Sequence, residues 1–267
     1  MRFSNLHTHT TFSDGTGTVR ENVESAIKLG MISLGFSDHS FTSCDTSYCM
    51  MPEDYGKYKS EILRAKEEFR DRITLFHGIE KDYYSTLDPA DYDYILASVH
   101  YIVTRGRVFA IDHLREYQQE CAEYAFGGSL CAMARCYFDM VAEQAYLVKP
   151  DVIGHFDVIN KFSLFSDDEG EYFEIAAAAL RETVKHCKRF EVNTGAIARG
   201  YKKNPYPSFG LLKLLHELGG EVVLGSDSHK PENLDFYFKE SLDIIRAAGF
   251  DSISRLTERG FEKVALS

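Results

Sequence analysis

The chain has 267 residues, 44% hydrophobic and 27% charged, and its 30 Lys and Arg against 41 Asp and Glu give a net charge of −11. That balance is foreign to a disordered chain, and no apolar run approaches the ~18 residues of a membrane-spanning helix. The acidic surplus argues against binding nucleic acid through a broad basic surface, although a local basic pocket is compatible with it.

A chain of this length buries roughly 70–75% of its extended surface and needs no disulfide scaffold. The six cysteines, Cys44, Cys49, Cys121, Cys131, Cys136 and Cys187, are therefore expected as free thiols. Cys44 and Cys49 are separated by four residues, but no second pair stands at zinc-finger spacing. The opening Met1-Arg2-Phe3-Ser4-Asn5-Leu6-His7 has no apolar signal core, so the expected location is cytoplasmic.

In chain order, short β-branched or aromatic runs predict strands at 3–6, 32–37, 73–79, 94–99, 152–154, 190–193 and 222–225. Helical periodicity predicts helices between them at 19–29, 52–70, 171–188 and 209–218, and a last one at 239–248. Gly30, Gly219-Gly220 and Gly249 stand where left-handed C-caps belong, and Pro52 with Glu53 and Asp54 suits a first helical turn. This alternation predicts a parallel α/β sheet closed, or nearly closed, into a barrel whose chemistry sits at the C-terminal strand ends. The long gap at 105–149 holds two helical patterns broken at Gly127-Gly128 and reads as an elaboration on that barrel. No repeat or linker divides the chain.

The histidines follow this pattern closely. His7 and His9 follow the first strand at i and i+2, so on an extended chain both rings point to one side. His39 ends the second strand, Glu80 the third, His100 the fourth and His155 the fifth, while Asp227 and His229 end the seventh, again at i and i+2. Six of the ten histidines, with the carboxylates of Asp14, Glu80 and Asp227, thus fall on one rim. Neutral imidazole and carboxylate are ligands for Zn, Mn or Fe, and nine of them exceed what one ion needs. The arithmetic points to two or three divalent ions sharing a bridging carboxylate, a site that binds a phosphoryl group and activates water. His113, His186 and His216 lie in helical patterns, and His77 faces away from Glu80 on its strand; these four are expected to be structural or solvent-facing.

Taken in order from His7 to His229, these motifs resemble the PHP family, named for polymerase and histidinol phosphatase. The resemblance implies a distorted (β/α)7 TIM-like barrel over residues 1–267, one domain with a helical elaboration around 105–149, and a trinuclear metal site. It implies a first metal held by His7, His9, Glu80 and Asp227, a second held by Glu80, His100 and His155, and a third held by Asp14, His39 and His229. Some relatives carry a histidine where Asp14 stands. Within the family, the run Glu191-Val192-Asn193-Thr194-Gly195-Ala196-Ile197-Ala198-Arg199-Gly200, followed by Tyr206-Pro207-Ser208, most resembles the histidinol-phosphate phosphatase branch. Arg199 is the expected phosphate clamp, since a guanidinium engages two phosphate oxygens at once. Asn193 and Lys161 are the other expected substrate contacts, Lys161 because Asn160 stands near where the family often carries an arginine.

What this resemblance implies is metal-dependent hydrolysis of L-histidinol phosphate to L-histidinol and phosphate. Water activated at the metals attacks phosphorus in line, and Asp227 or His229 protonates the leaving oxygen. The alternative with the same site is a phosphodiesterase or exonuclease acting on nucleotides, disfavoured by the missing basic surface and by the 193–199 motif. A non-catalytic metal-binding module is a third reading, at odds with an intact ligand set. An amidohydrolase-like C–N hydrolase is a fourth, and it ordinarily wants a ligand lysine at a strand end, for which the sequence offers no obvious candidate. Loop 41–51, with Tyr48 and Met50-Met51, is either a cover over the site or a plain connector.

Overall fold

Each predicted strand forms, and consecutive predicted strands pair in parallel. The computed structural model describes residues 2–266. The chain opens with β1 (Ser4–Asn5), α1 (Val19–Lys28), β2 (Ser33–Phe36), α2 (Tyr55–Phe69), β3 (Thr74–Asp82) and β4 (Tyr94–Ser98). A hairpin, β5 (Tyr101–Thr104) and β6 (Arg107–Ala110), then precedes helices α3 (Arg115–Phe126) and α4 (Leu130–Val148). The barrel resumes with β7 (Val152–Ile153), α5 (Gly170–Thr183), β8 (Arg189–Asn193), the short α6 (Gly195–Ala198), α7 (Phe209–Glu217) and β9 (Glu221–Gly225). Helix α8 (Phe238–Ala247) and the hairpin β10 (Ser252–Thr257) and β11 (Gly260–Ala265) end it.

Seven strands run parallel in the order β1-β2-β3-β4-β7-β8-β9. The two edges meet beyond the strands proper. A parallel bridge joins Thr8 to Ser228, with His9 N donating to the Ser228 carbonyl at 2.9 Å and Ser228 N to the His7 carbonyl at 3.2 Å. That bridge brings the His7-x-His9 and Asp227-x-His229 runs face to face, so barrel closure and site assembly are one event.

Local chemistry fixes the helices. Thr18 caps α1 by accepting from Glu21 N while the Glu21 carboxylate accepts from Thr18 N, and the helix buries Val19, Val23 and Ala26. Gly30, Gly219 and Gly249 all take positive φ where helices end, as predicted. Inside the barrel, the buried Tyr94 hydroxyl donates to the carbonyls of Leu6 at 2.5 Å and Phe36 at 3.1 Å. Leu256 of β10 packs on Leu6, Phe76 and Tyr94, so the terminal hairpin covers the end away from the histidines. Among the described residues, no helix is long and apolar enough to cross a membrane. All six cysteines are free thiols, as expected.

Three expectations need correction. The gap at 105–149 opens on the turn and second strand of a hairpin that the helical reading did not include. Its two-residue turn, Arg105-Gly106, has positive φ at both positions, which matches the twist of paired strands. His113 is not helical: it lies in the turn before α3, exposed. His186 lies in the turn after α5, which ends at Thr183 rather than 188 so that the chain can enter β8.

His77 shows what a histidine costs where no ligand role is in prospect. It lies on β3 and stacks on Tyr92 with ring centroids 4.5 Å apart, its Nε2 without a partner. Burial, aided by Lys59 and Lys66 and opposed by Asp93, pushes its pKa from 6.5 down to about 4. The unfolded imidazole binds its proton below 6.5 and the folded one only near 4. Stability present above that window is therefore lost as pH falls through it, by on the order of 3 kcal/mol for the full shift. His77→Gln should flatten this part of the pH profile, read by urea unfolding of metal-free protein at pH 7, 5.5 and 4.5. Parallel profiles for the two proteins would contradict it.

Candidate metal centre

Strand ends deliver the side chains and nearby hydrogen bonds aim them. After β1, the Asp38 carboxylate accepts from Thr10 N at 2.8 Å, Ser13 N at 3.1 Å and Ser13 Oγ at 2.6 Å, which folds the 10–15 loop back and brings Asp14 to the rim. Asp227 takes φ 49°, a left-handed conformation rare outside glycine, of the kind that concentrates at functional sites.

Glu80, fully buried at the centre, faces five imidazoles. Its Oε2 lies 3.3 Å from His7 Nε2, 3.7 Å from His9 Nε2 and 2.7 Å from His39 Nδ1. Its Oε1 lies 3.1 Å from His155 Nε2 and 3.4 Å from His100 Nε2. Asp227 Oδ1 stands 3.3 Å from His9 Nε2 and 3.7 Å from His7 Nε2. Towards the cavity, Asp14 meets His229 Nε2 at 3.1 Å, His39 Nε2 at 3.7 Å and His9 Nδ1 at 3.8 Å. All nine residues expected as ligands are thus brought together. Ligand atoms lie within 4.8 Å of one another in four sets: His9, Asp14, His39 and His229; His7, Glu80 and His155; His7, His9 and Asp227; and His39, Glu80 and His100. These sets overlap more than the three implied by the resemblance, because His9 also reaches Asp14 and His39 also reaches Glu80.

The donor chemistry fits divalent cations. His7 Nε2, both nitrogens of His9 and Glu80 Oε2 are buried with no hydrogen-bond partner. Lone pairs that crowd together without protons between them are costly unless a cation fills the space. Electrostatics say the same. Burial and the neighbouring His229 and His39 push His9 down to about 3, which keeps its ring neutral with one nitrogen lone pair free. Burial opposes the charge on Glu80, yet His39, His7 and His100 hold its carboxyl well below the usual range. Burial likewise opposes the charge on Asp227, which Arg199 and His7 outweigh. Burial lowers His7, but Glu191, Glu80 and Asp227 together raise it well above its ordinary value.

A cavity of about 740 Å³ opens over this cluster. Arg199, half-buried beside α6, donates to Asp227 Oδ2 at 2.6 Å and to the Asp227 carbonyl at 3.4 Å. Lys161 lines the same cavity, its Nζ donating to the Asp112 carbonyl at 2.5 Å and lying 5.0 Å from the Tyr201 ring centroid. Asn193 does not reach the cavity, which corrects its expected substrate contact. Its Nδ2 donates to Glu191 Oε2 at 2.9 Å and its Oδ1 accepts from Gly195 N at 2.8 Å, so both ends of the amide are committed inside the barrel. Asn160 is also structural, bonded to Asp167 Oδ1 at 2.6 Å and to the Phe165 backbone. Loop 41–51 forms a wall of the cavity, with the Tyr48 ring edge-on to His39 at 4.7 Å.

Sequence reasoning assigned no role to two carboxylates that support the histidines from behind. Glu191 Oε1 lies 2.7 Å from His7 Nδ1, and Asp82 Oδ2 lies 3.1 Å from His100 Nδ1. Asp82 carried a readable signal, since it stands at i+2 from Glu80 on one face of β3.

Comparison with known proteins agrees with this geometry. The profile of the PHP domain matches residues 5–195. A Deinococcus radiodurans protein named "Probable histidinol-phosphatase" is 30% identical over 257 residues, which cover 91% of this chain and 92% of the relative. The histidinol-phosphatase of Lactococcus lactis is 27% identical, with 98% of this chain and 97% of the relative covered. The fold is similar to that of the L. lactis histidinol phosphate phosphatase crystallised with zinc, L-histidinol and phosphate. The TM-score there is 0.72 at 20% identity, over 98% of this chain and 99% of that one.

Proposed function

We propose that this chain, which belongs to the PHP domain family, is a metal-dependent histidinol-phosphatase that hydrolyses L-histidinol phosphate to L-histidinol and phosphate in histidine biosynthesis. The observation that carries the reading is the set of buried, unpartnered imidazole nitrogens converging on Glu80 beneath a cavity rimmed by Arg199. Relatives named for this activity match the chain over nearly its whole length. A cytoplasmic location belongs to the same reading and is in keeping with six free thiols.

In this reading, His7, His9, Glu80 and Asp227 hold one ion, Glu80, His100 and His155 a second, and Asp14, His39 and His229 a third. Divalent ions there supply Lewis acidity and a nucleophile from water at neutral pH. The protein supplies the rest. Arg199 offers its fork to two phosphate oxygens, pre-oriented by its bond to Asp227. Lys161 adds a second cation on the same cavity wall. Asp227 stays ionised beside Arg199, so it is not the resting proton donor. His229 Nε2, 3.1 Å from Asp14, either completes the third ligand set or carries the proton for the leaving oxygen; one nitrogen cannot do both. Positioned cations of this kind must supply much of the roughly 20 kcal/mol by which phosphatases lower the barrier to monoester hydrolysis.

The remaining walls suit a cationic amine and an imidazole. Tyr48, Tyr101, His113 and Tyr117 offer ring faces and edges, and Asp45 and Asp112 offer carboxylates. Those carboxylates repel a nucleotide's second phosphate. The test is kcat/KM for L-histidinol phosphate against a plain alkyl phosphomonoester and a dinucleotide. We expect a preference of at least about 100-fold for L-histidinol phosphate, the value of roughly 3 kcal/mol of specific contact. Faster turnover of the dinucleotide would overturn the substrate assignment in favour of a phosphodiesterase.

A further inference from the structure

We infer that Glu191 is a positioning residue for the metal centre, fixing which nitrogen of His7 carries the proton while it anchors the backbone at His155. The inference rests on His7 and His155 acting as ligands, as read above.

The argument is one of donors and acceptors. Glu191 projects from β8 into the barrel and is buried. Its Oε2 accepts from His155 N at 2.9 Å and from Asn193 Nδ2 at 2.9 Å, both of which can only donate. Its Oε1 lies 2.7 Å from His7 Nδ1. A carboxylate only accepts, so the proton of a neutral His7 sits on Nδ1 and the lone pair on Nε2. That Nε2 is the unpartnered atom facing Glu80 at 3.3 Å and Asp227 at 3.7 Å. The neighbouring strand leaves space for the carboxylate: a Cβ on Gly225 of β9 would fall 1.8 Å from Glu191 Oε1. One side chain thereby ties together the ligand-bearing ends of β1 and β7.

Glutamine at this position is nearly isosteric but has one acceptor and one donor end. If its oxygen serves His155 N and Asn193, its NH2 faces His7 Nδ1, drives the ring proton to Nε2 and blocks the lone pair. If it flips, its NH2 meets two donors. Neither orientation satisfies all three groups.

The experiment compares wild type, Glu191→Gln, His7→Gln and the double variant by zinc titration in competition with a chromophoric chelator. Imidazole ¹⁵N shifts of the metal-free proteins, taken at a pH high enough to leave the His7 ring neutral, report its tautomer. Zinc affinity of Glu191→Gln should fall about 10–100-fold, as for other groups that orient metal-binding histidines. Its His7 proton should move to Nε2. The double variant should lose less zinc affinity than the two single losses combined, because much of the effect of Glu191 runs through His7. Unchanged zinc affinity with the proton still on Nδ1 would overturn the inference, and so would additive losses in the double variant. Wild type that binds no zinc would instead refute the metal-centre reading, while the tautomer shift would still decide the role of Glu191.

Discussion

Glu80→Gln should leave a folded barrel with almost no phosphatase activity. The wild-type carboxylate is fully buried with five imidazole nitrogens between 2.7 and 3.7 Å from its two oxygens. Among the three carboxylates expected as ligands, Glu80 alone lies within 4 Å of imidazole nitrogens on both the His7 and His9 side and the His100 and His155 side. An amide removes a negative charge from between the ions it would bridge and turns N–H donors toward lone pairs meant for metal. We expect kcat to fall by at least about 10³-fold, some 4 kcal/mol of transition-state stabilisation, together with loss of bound metal. Far-UV circular dichroism should stay unchanged, because the strands around Glu80 hold through backbone bonds and an apolar shell. Wild-type kcat with a full metal complement would rule out Glu80 as the bridge.

The second large effect is expected at Arg199. Its guanidinium donates to Asp227 at 2.6 Å and stands half-buried at the cavity rim. Burial opposes its charge, but Asp227 raises its pKa further still, so it stays a cation at every accessible pH. Arg199→Ala should lower kcat/KM by about 10²–10³-fold and weaken inhibition by inorganic phosphate. Arg199→Lys should recover little of this, since a single ammonium cannot replace a fork that holds Asp227 and two phosphate oxygens. Bound metal, counted in the same samples, separates the two routes. Retained metal assigns the loss to phosphate binding, and lost metal assigns it to Asp227 left without its partner. Unchanged kcat/KM would remove Arg199 from the site.

These two residues also mark how far the chain could be read unaided. Glu80 and the six rim histidines were legible because each follows a β-rich run and because His7-x-His9 and Asp227-x-His229 carry the period of an extended chain. Arg199 was legible only through its neighbours in the 191–200 run. Asn193, in the same run, misled: alternation on β8 puts it on the same face as Glu191, but its amide is spent within the barrel. Glu191 itself stayed hidden because its partner His7 is 184 positions away, across the closing seam of the barrel. The β5–β6 hairpin was missed because Arg105-Gly106 is a weaker turn signal than Asn-Gly or Asp-Gly. Loop 41–51 carries no periodicity at all, and the position of Tyr48 over His39 depends on tertiary contacts alone.

The most direct test of the whole account is inorganic phosphate released from L-histidinol phosphate by chelator-stripped protein, before and after Zn²⁺ or Mn²⁺ is returned, with bound metal counted alongside. The account predicts no release from stripped protein and recovery that tracks about two to three equivalents of metal. Full turnover by stripped protein, or a replete metal site that leaves L-histidinol phosphate intact, would contradict it.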